Sequence, residues 1–380
     1  FTNNQPTLIT HIPSGSGETW CELLTQDTDD RGQPIDPPIH DRCQGHVSTP
    51  CLQFLAAGIR SASPQVLPLP RAGPGPAGVD KSGHPTIQAG MKIEAVDFFY
   101  LSMPTLRDIV DGSQDALLVR VQAGGYTGWG ECEAAPLVSI ASWNCPMSHS
   151  ACKPLSASVL GQELHGPADI RRINDRVRAH SFDLLQADHT LSGIDIALWD
   201  LLGRQRGEPV YRLLGYERAF PKIAYASVLF GDTPQQTLEK GRAVARAGFR
   251  AAKFGWGPYG HGSAARDADQ VRAAREGLGP EGILLVDAGT VWGEDVDAAV
   301  QRLPALQSAG ALWLEEPFVS GALAAYGALA RQSGAVKIAG GEGCHNYQQA
   351  RAMIDYAGLG FVQIDAGRIG GITTAKQVAD

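Results

Sequence analysis

From about Lys222 onward the chain falls into a rhythm that few folds accommodate. Short apolar stretches, KIAYASV, AAKFGW, ILLVDAG, LWLEEP, KIAGGE and FVQIDAG, alternate with amphipathic patterns such as QQTLEKGRAVARAG and DADQVRAAREGLG. Strand-helix alternation at this spacing requires a parallel sheet with crossover helices. The second to the sixth of these strands each end in an ionisable residue: Lys253, Asp287, Glu315, Glu342 and Asp365, each about one strand-helix unit from the next. In a barrel of parallel strands such residues converge on one mouth, where active sites of the fold lie. The charges are therefore expected to be neighbours in space.

Three carboxylates facing one another from adjacent strands repel, and one must take a proton unless a cation sits between them. Hard oxygen donors from Asp287, Glu315 and Glu342 suit Mg²⁺ better than zinc, which prefers His or Cys. The doubled acid in LWLEEPF needs separate treatment. Side chains alternate along a strand, so Glu315 and Glu316 cannot both enter the mouth. One of the pair must turn toward surrounding loops and find a cation or backbone donor there, ahead of Pro317.

The remainder of the chain differs in character. Residues 1–90 carry half of the 24 prolines, and PLPRAGPGPAG reads as a linker. Proline removes ladder donors and interrupts helices, so this segment is expected to be a disordered or non-native extension without a core of its own. At Met91 the pattern becomes strand-like in MKIEAVDFFYL and DALLVRVQ, followed by the hairpin signal AGGYTGWGE. A natural start at Met91 is a further expectation. The stretch LSGIDIALWDLLGRQRG places Leu191, Ile194, Leu198, Leu201 and Leu202 near helical spacing, with Ser192 as a candidate N-cap and Gly207 as terminator.

Composition narrows the partners. A net charge of -8 without a Lys/Arg-rich run argues against a nucleic-acid footprint and for a small-molecule partner. No apolar run has the length of a membrane span, and FTNNQPTLIT lacks the features of a secretory signal, so a cytoplasmic location is expected. Seven scattered cysteines, an odd number, suit reduced thiols.

Taken together, VDAG, WLEEP, GGE and VQIDAGRIGG, with SGIDIALWDLLGRQRGEPVYRLLG, resemble the enolase superfamily in its mandelate racemase and acid-sugar dehydratase branch. The likeness covers Met91 to Asp380. It implies an α/β architecture: a capping α+β domain at 91–220, then at 221–380 a (β/α)7β TIM-like barrel truncated after its sixth strand. It assigns Mg²⁺ to Asp287, Glu315 and Glu342, and so selects Glu315 of the doubled acid. In this family the metal receives the substrate carboxylate and stabilises the enediolate formed on loss of the alpha proton. Self-association is common among such proteins.

The acid and base residues select a subgroup. Asp365 replaces the lysine of muconate lactonizing relatives and resembles the aspartate that supports a histidine from the seventh strand. That strand is expected beyond Asp380, which makes the chain a fragment that by itself is expected to be inactive. The usual Lys-x-Lys of the second strand is here AAKFGWG: Lys253 resembles a carboxylate-orienting residue, and Gly255 occupies the second, catalytic position. A racemase with two opposed bases needs both. One-base dehydration of a sugar acid, an aldonate or aldarate, to a 2-keto-3-deoxy acid is therefore expected, with a racemase or epimerase and a non-catalytic pseudoenzyme as alternatives. Tyr259 or His261 is a candidate to replace the absent lysine. Trp143, Met147 and His149, near CPMSHSAC, are candidates for a substrate-covering loop, and the spacing there fits no zinc motif. Tyr259 and His345 are further candidates for substrate contact, and Trp256 and Trp292 for pocket walls. Asp195 and Asp200 are expected to act as caps or in salt bridges.

Overall fold

In the computed structural model, residues 7–11, 90–103, 105, 115–133 and 135–380 are described. Of the Pro-rich extension, Thr7–His11 forms strand β1, and the expectation for the remaining residues before 90 lies outside the described residues. Strand β1 pairs antiparallel with β2 (Met91–Ser102), followed by β3 (Ala116–Ala123) and β4 (Tyr126–Cys132), while β5 (Glu163–Leu164) adds to β2. The anticipated hairpin joins β3 to β4. In β3 alternate residues Leu117, Val119, Val121 and Ala123 are fully buried. That period of two marks a sheet with one face on a core.

The helix Ala187–Arg206 covers that face. It begins before Ser192, which is not its cap: the Ser192 hydroxyl donates to the Asp188 carbonyl one turn back. Gly207 ends it as expected, in the left-handed conformation. Leu191, Ile194, Leu198 and Leu201 are fully buried, with Trp199 on another side nearly so. Most of the residues of this helix are buried, and the helix Gly371–Ala379 also packs on it.

The second half contains six parallel strands, β6 (Tyr225–Leu229), β7 (Ala251–Gly255), β8 (Ile283–Asp287), β9 (Ala311–Glu315), β10 (Lys337–Gly340) and β11 (Phe361–Val362), in sequential spatial order. The helices after β6, β7 and β10 start at Thr233, Ser263 and Asn346, whose side chains accept from backbone N–H groups of the first turn. Such caps stabilise a helix start by about 1 kcal/mol. Residues Ala252, Phe254, Leu284, Val286, Leu314 and Ile338 form one face of the sheet, buried under the helices. The opposite face carries Lys253, Asp287 and Glu315. Among the described residues β6 and β11 each pair on one side only, so the expected truncated barrel does not close within them and the six strands form an open parallel sheet. Tyr225 and Leu229 stand exposed on it as a result. No helix among the described residues is long and apolar enough to cross a membrane.

Candidate active site

Parallel register explains which strand-end charges meet. Gly255 is level with Asp287, Asp287 with Glu315, and Glu315 with Ala339. Glu342 therefore lies past the end of β10, farther out than the first two acids, and Asp365 likewise lies beyond β11. The Lys253 ammonium sits between the first two carboxylates, 2.9 Å from Asp287 Oδ2 and 2.7 Å from Glu315 Oε1. The other oxygens are also engaged: Gly289 N–H donates to Asp287 Oδ1 at 2.9 Å and the Trp313 indole to Glu315 Oε2 at 3.1 Å. Burial works against the Lys253 charge, but Asp287 and Glu315 outweigh it and hold its pKa above the ordinary lysine value.

The acids feel the reverse. Burial pushes the Glu315 pKa up, with Asp287 adding to the rise and Lys253 opposing it. Glu342 is raised by burial as well, opposed by Lys253 and reinforced by Asp287. Among the described residues no three His, Cys, Asp or Glu side chains already enclose one point as an ion site. Of the three expected acids, Asp287 and Glu315 share Lys253 directly, and Glu342, past the end of β10, acts on the same lysine and on Asp287 without an ion pair to either. The donor chemistry fits a hard divalent cation, since a single ammonium serves a cluster in which Glu315 and Glu342 are pushed toward protonation.

The doubled acid divides as its alternation requires. Glu315 is 1% exposed and faces Lys253, whereas Glu316 adopts φ +39° and its Oε1 accepts from the Gly343 N–H at 3.3 Å. Burial, then Glu342, pushes the Glu316 pKa up to about 7.

Gly255 has no room for the missing lysine. A Cβ there would stand 2.8 Å from Asp287 Cβ and 3.1 Å from its carbonyl oxygen. Nor does Tyr259 replace it. Tyr259 is 1% exposed, stacked on Phe230 within the core beneath the helices, and its hydroxyl has no partner. Trp292 packs against the same ring and donates to the Gly260 carbonyl, so it is core and not pocket wall. Trp256 lies over Gly289, beside Asp287. His261 is exposed in the loop after β7.

The capping-loop candidates are displaced as well. Trp143 is buried in the capping-domain core against Phe98, and His149 is exposed and paired with Asp183 at 3.1 Å. Met147 is exposed. Indole area drives Trp143 inward, and no sequence pattern separates that from a pocket role. His345 contacts His189 of the capping domain, Nδ1 to Nε2 at 2.9 Å. Burial and that neighbour lower the His189 pKa to about 4. All four described cysteines, Cys132, Cys145, Cys152 and Cys344, are free thiols.

Asp365 lines a cleft of about 490 Å³ with Asp115, Glu131 and Glu133 of the capping domain. Burial raises its pKa, opposed by the Gly367 N–H donating at 2.6 Å. Glu133, missed by sequence reasoning, and Asp195 hold this corner. Glu133 ion-pairs with Arg368 at 2.8 Å, and Asp195 accepts from the Thr373 N–H at 3.0 Å and the Thr373 hydroxyl at 2.5 Å. Asp195 is a cap, as expected, but of a helix remote in sequence. Only its position among apolar residues of its own helix hinted at a buried partner.

Two family models match: "Mandelate racemase / muconate lactonizing enzyme, N-terminal domain" over residues 104–215 and "Enolase C-terminal domain-like" over residues 236–380. A crystal structure described as a predicted mandelate racemase, from Rhodobacter sphaeroides, is 63% identical, with a TM-score of 0.74 over 76% of this chain and 74% of that one. The chain belongs to the mandelate racemase and muconate lactonizing branch of the enolase superfamily. Within it, the 3,6-anhydro-alpha-L-galactonate cycloisomerase of Streptomyces coelicolor is 34% identical over 51% of this chain and 52% of its own length. The L-talarate/galactarate dehydratase of Salmonella typhimurium is 28% identical over 61% of this chain and 57% of its own. The chain thus spans little more than half the length of these curated relatives. Relatives that are lyases and isomerases support an enzyme.

Proposed function

We propose that the protein is a Mg²⁺-dependent hydro-lyase that converts a sugar acid, an aldonate or aldarate, into a 2-keto-3-deoxy acid. The observation that carries this reading is Gly255: the position of a second lysine base is closed by Asp287, so only one face of a bound acid can be served. Two relatives named for galactonate- and galactarate-type acids support the substrate class.

Asp287, Glu315 and Glu342 would hold the cation, which when bound draws charge from a substrate carboxylate. Lys253, released from its two acids, orients that carboxylate from the adjacent strand. Asp365 supports the histidine base that the family supplies from the next strand. The proton alpha to the carboxylate passes to that base, the beta hydroxyl leaves as water with a proton returned by the same group, and the resulting enol becomes the keto acid. One base suffices because both proton transfers occur on one face.

Incubation of the full-length protein with aldonic and aldaric acids and Mg²⁺, followed by semicarbazide detection, should reveal a 2-keto-3-deoxy product. Solvent deuterium in recovered, inverted substrate with no keto acid would instead establish a racemase. Glu315→Gln should abolish turnover with folding intact; unchanged activity would remove it from the site.

A further inference from the structure

The turn that carries Asp365 is gripped from outside its own sheet. Glu133, just after β4 in the capping domain, receives two hydrogen bonds from the Arg368 guanidinium, Nε to Oε2 at 3.0 Å and a second nitrogen to Oε1 at 2.8 Å. The Glu133 backbone N–H donates to the Gly367 carbonyl at 3.1 Å. Gly367 in turn donates its own N–H to Asp365 Oδ1, and the N–H groups of Arg368 and Ile369 both donate to the Asp365 carbonyl oxygen at 3.1 Å. One capping residue thus holds both the carbonyl of Gly367, whose N–H supports the Asp365 carboxyl, and the side chain of Arg368. Bidentate guanidinium-carboxylate pairing fixes orientation as well as distance.

We propose that Glu133 and Arg368 are positioning residues that set the orientation of the Asp365 carboxyl from the capping domain. The seam then does more than cover the site: docking of the capping domain shapes one of its acids. The role of Asp365 as the support of a base rests on the proposed function, but the grip itself is measurable in the chain without turnover.

The charged groups that bear on Asp365 are Glu133, Arg368 and Glu342, and Asp115 and Glu131 line the same cleft. Carboxyl ¹³C titration of the whole chain, with Asp365→Asn identifying the resonance, reads the arrangement directly. Arg368→Met should move the Asp365 midpoint upward and Glu133→Gln should move it downward. Each should raise amide exchange at Gly367 by tenfold or more. Arg368→Lys, which keeps the charge and the fold, should recover most of the midpoint but not the exchange protection. Trp199→Phe removes a different bond across the same seam, from the indole to Thr373 at 2.9 Å, and should leave both readouts unchanged.

If Glu133→Gln and Arg368→Met only lower the melting temperature, with the Asp365 titration and Gly367 exchange unmoved, the pair is structural and the proposal falls. If both readouts move as expected while full-length Asp365→Asn keeps its turnover, the grip stands and the assigned role of Asp365 falls.

Discussion

At the mouth of the parallel sheet, one ammonium serves two buried carboxylates, while Glu315, Glu316 and Glu342 are all pushed toward protonation. Along the seam with the capping domain, two acids each have their own donors. Asp195 receives Asn174 and two bonds from Thr373, and Glu133 receives two from Arg368. Asp195 is as buried as the acids of the mouth and Glu133 is 31% exposed, so what separates the regions is the ratio of donors to acids. The seam spreads its donors over its acids, whereas the mouth crowds several acids around one ammonium, the arrangement the proposed function uses.

The sharpest break of this comparison is Lys253→Met. Removing one partner of a buried ion pair leaves uncompensated charge, so about 3–5 kcal/mol of stability should be lost in urea unfolding. Millimolar Mg²⁺ should narrow that deficit more than it stabilises the wild type. A loss below about 1 kcal/mol would show that the mouth is not charge-strained.

The seam should break nearly as sharply at Gly371. Its φ is +86°, and an added Cβ would meet Asp195 Oδ2 at 2.2 Å. Gly371→Ala should therefore cost about 3 kcal/mol through strain and overpacking combined. Thermal unfolding measures it.

Asp195 sharpens the contrast through pH. Burial raises its pKa from 3.8 to about 6, against the pull of Thr373. A carboxyl raised on folding favours its protonated form in the native state. Its stability contribution is full below pH 3.8 and is lost as pH rises through about 6. A shift of this size corresponds to about 3 kcal/mol. Asp195→Asn should flatten the unfolding free energy across that window. His189 acts oppositely: its pKa is lowered from 6.5 to about 4, so its contribution is present above 6.5 and lost as pH falls through 4. An Asp195→Asn profile that keeps the wild-type slope would show that Asp195 is not the group responsible.

The smallest expected effect is Trp199→Phe, which removes the indole bond to Thr373 and should cost about 1 kcal/mol, read from the same urea curves. Its modest size against Gly371→Ala would show that close approach contributes more to the seam than this single bond.

Much of this was legible in the chain itself. Alternation of apolar strands with capped helices established the parallel order from β6 to β11, because each crossover must return the chain to the same edge. Strand periodicity required Glu315 and Glu316 to part, and the resemblance chose Glu315 for the face that carries Lys253 and Asp287. Gly255 was visible as a missing base. The surroundings of other candidates were not legible, for a common reason. Trp143 and Tyr259 are large rings whose area draws them into a core, and polar tips or loop positions do not reveal that. His149 and His345 found partners in Asp183 and His189 that lie far away in sequence.

The sequence by itself determined the family, through motifs such as VDAG, WLEEP, GGE and VQIDAGRIGG, and the sheet order, through local periodicity and spacing. Only the tertiary structure decided which of the acids share Lys253, that Gly255 is closed by Asp287, and that Glu133 and Asp195 hold the segment from Asp365 to Thr373. Those facts depend on register between strands and on contacts between residues more than a hundred positions apart. Hydrogen-bond geometry at such distances leaves no periodic trace along the chain.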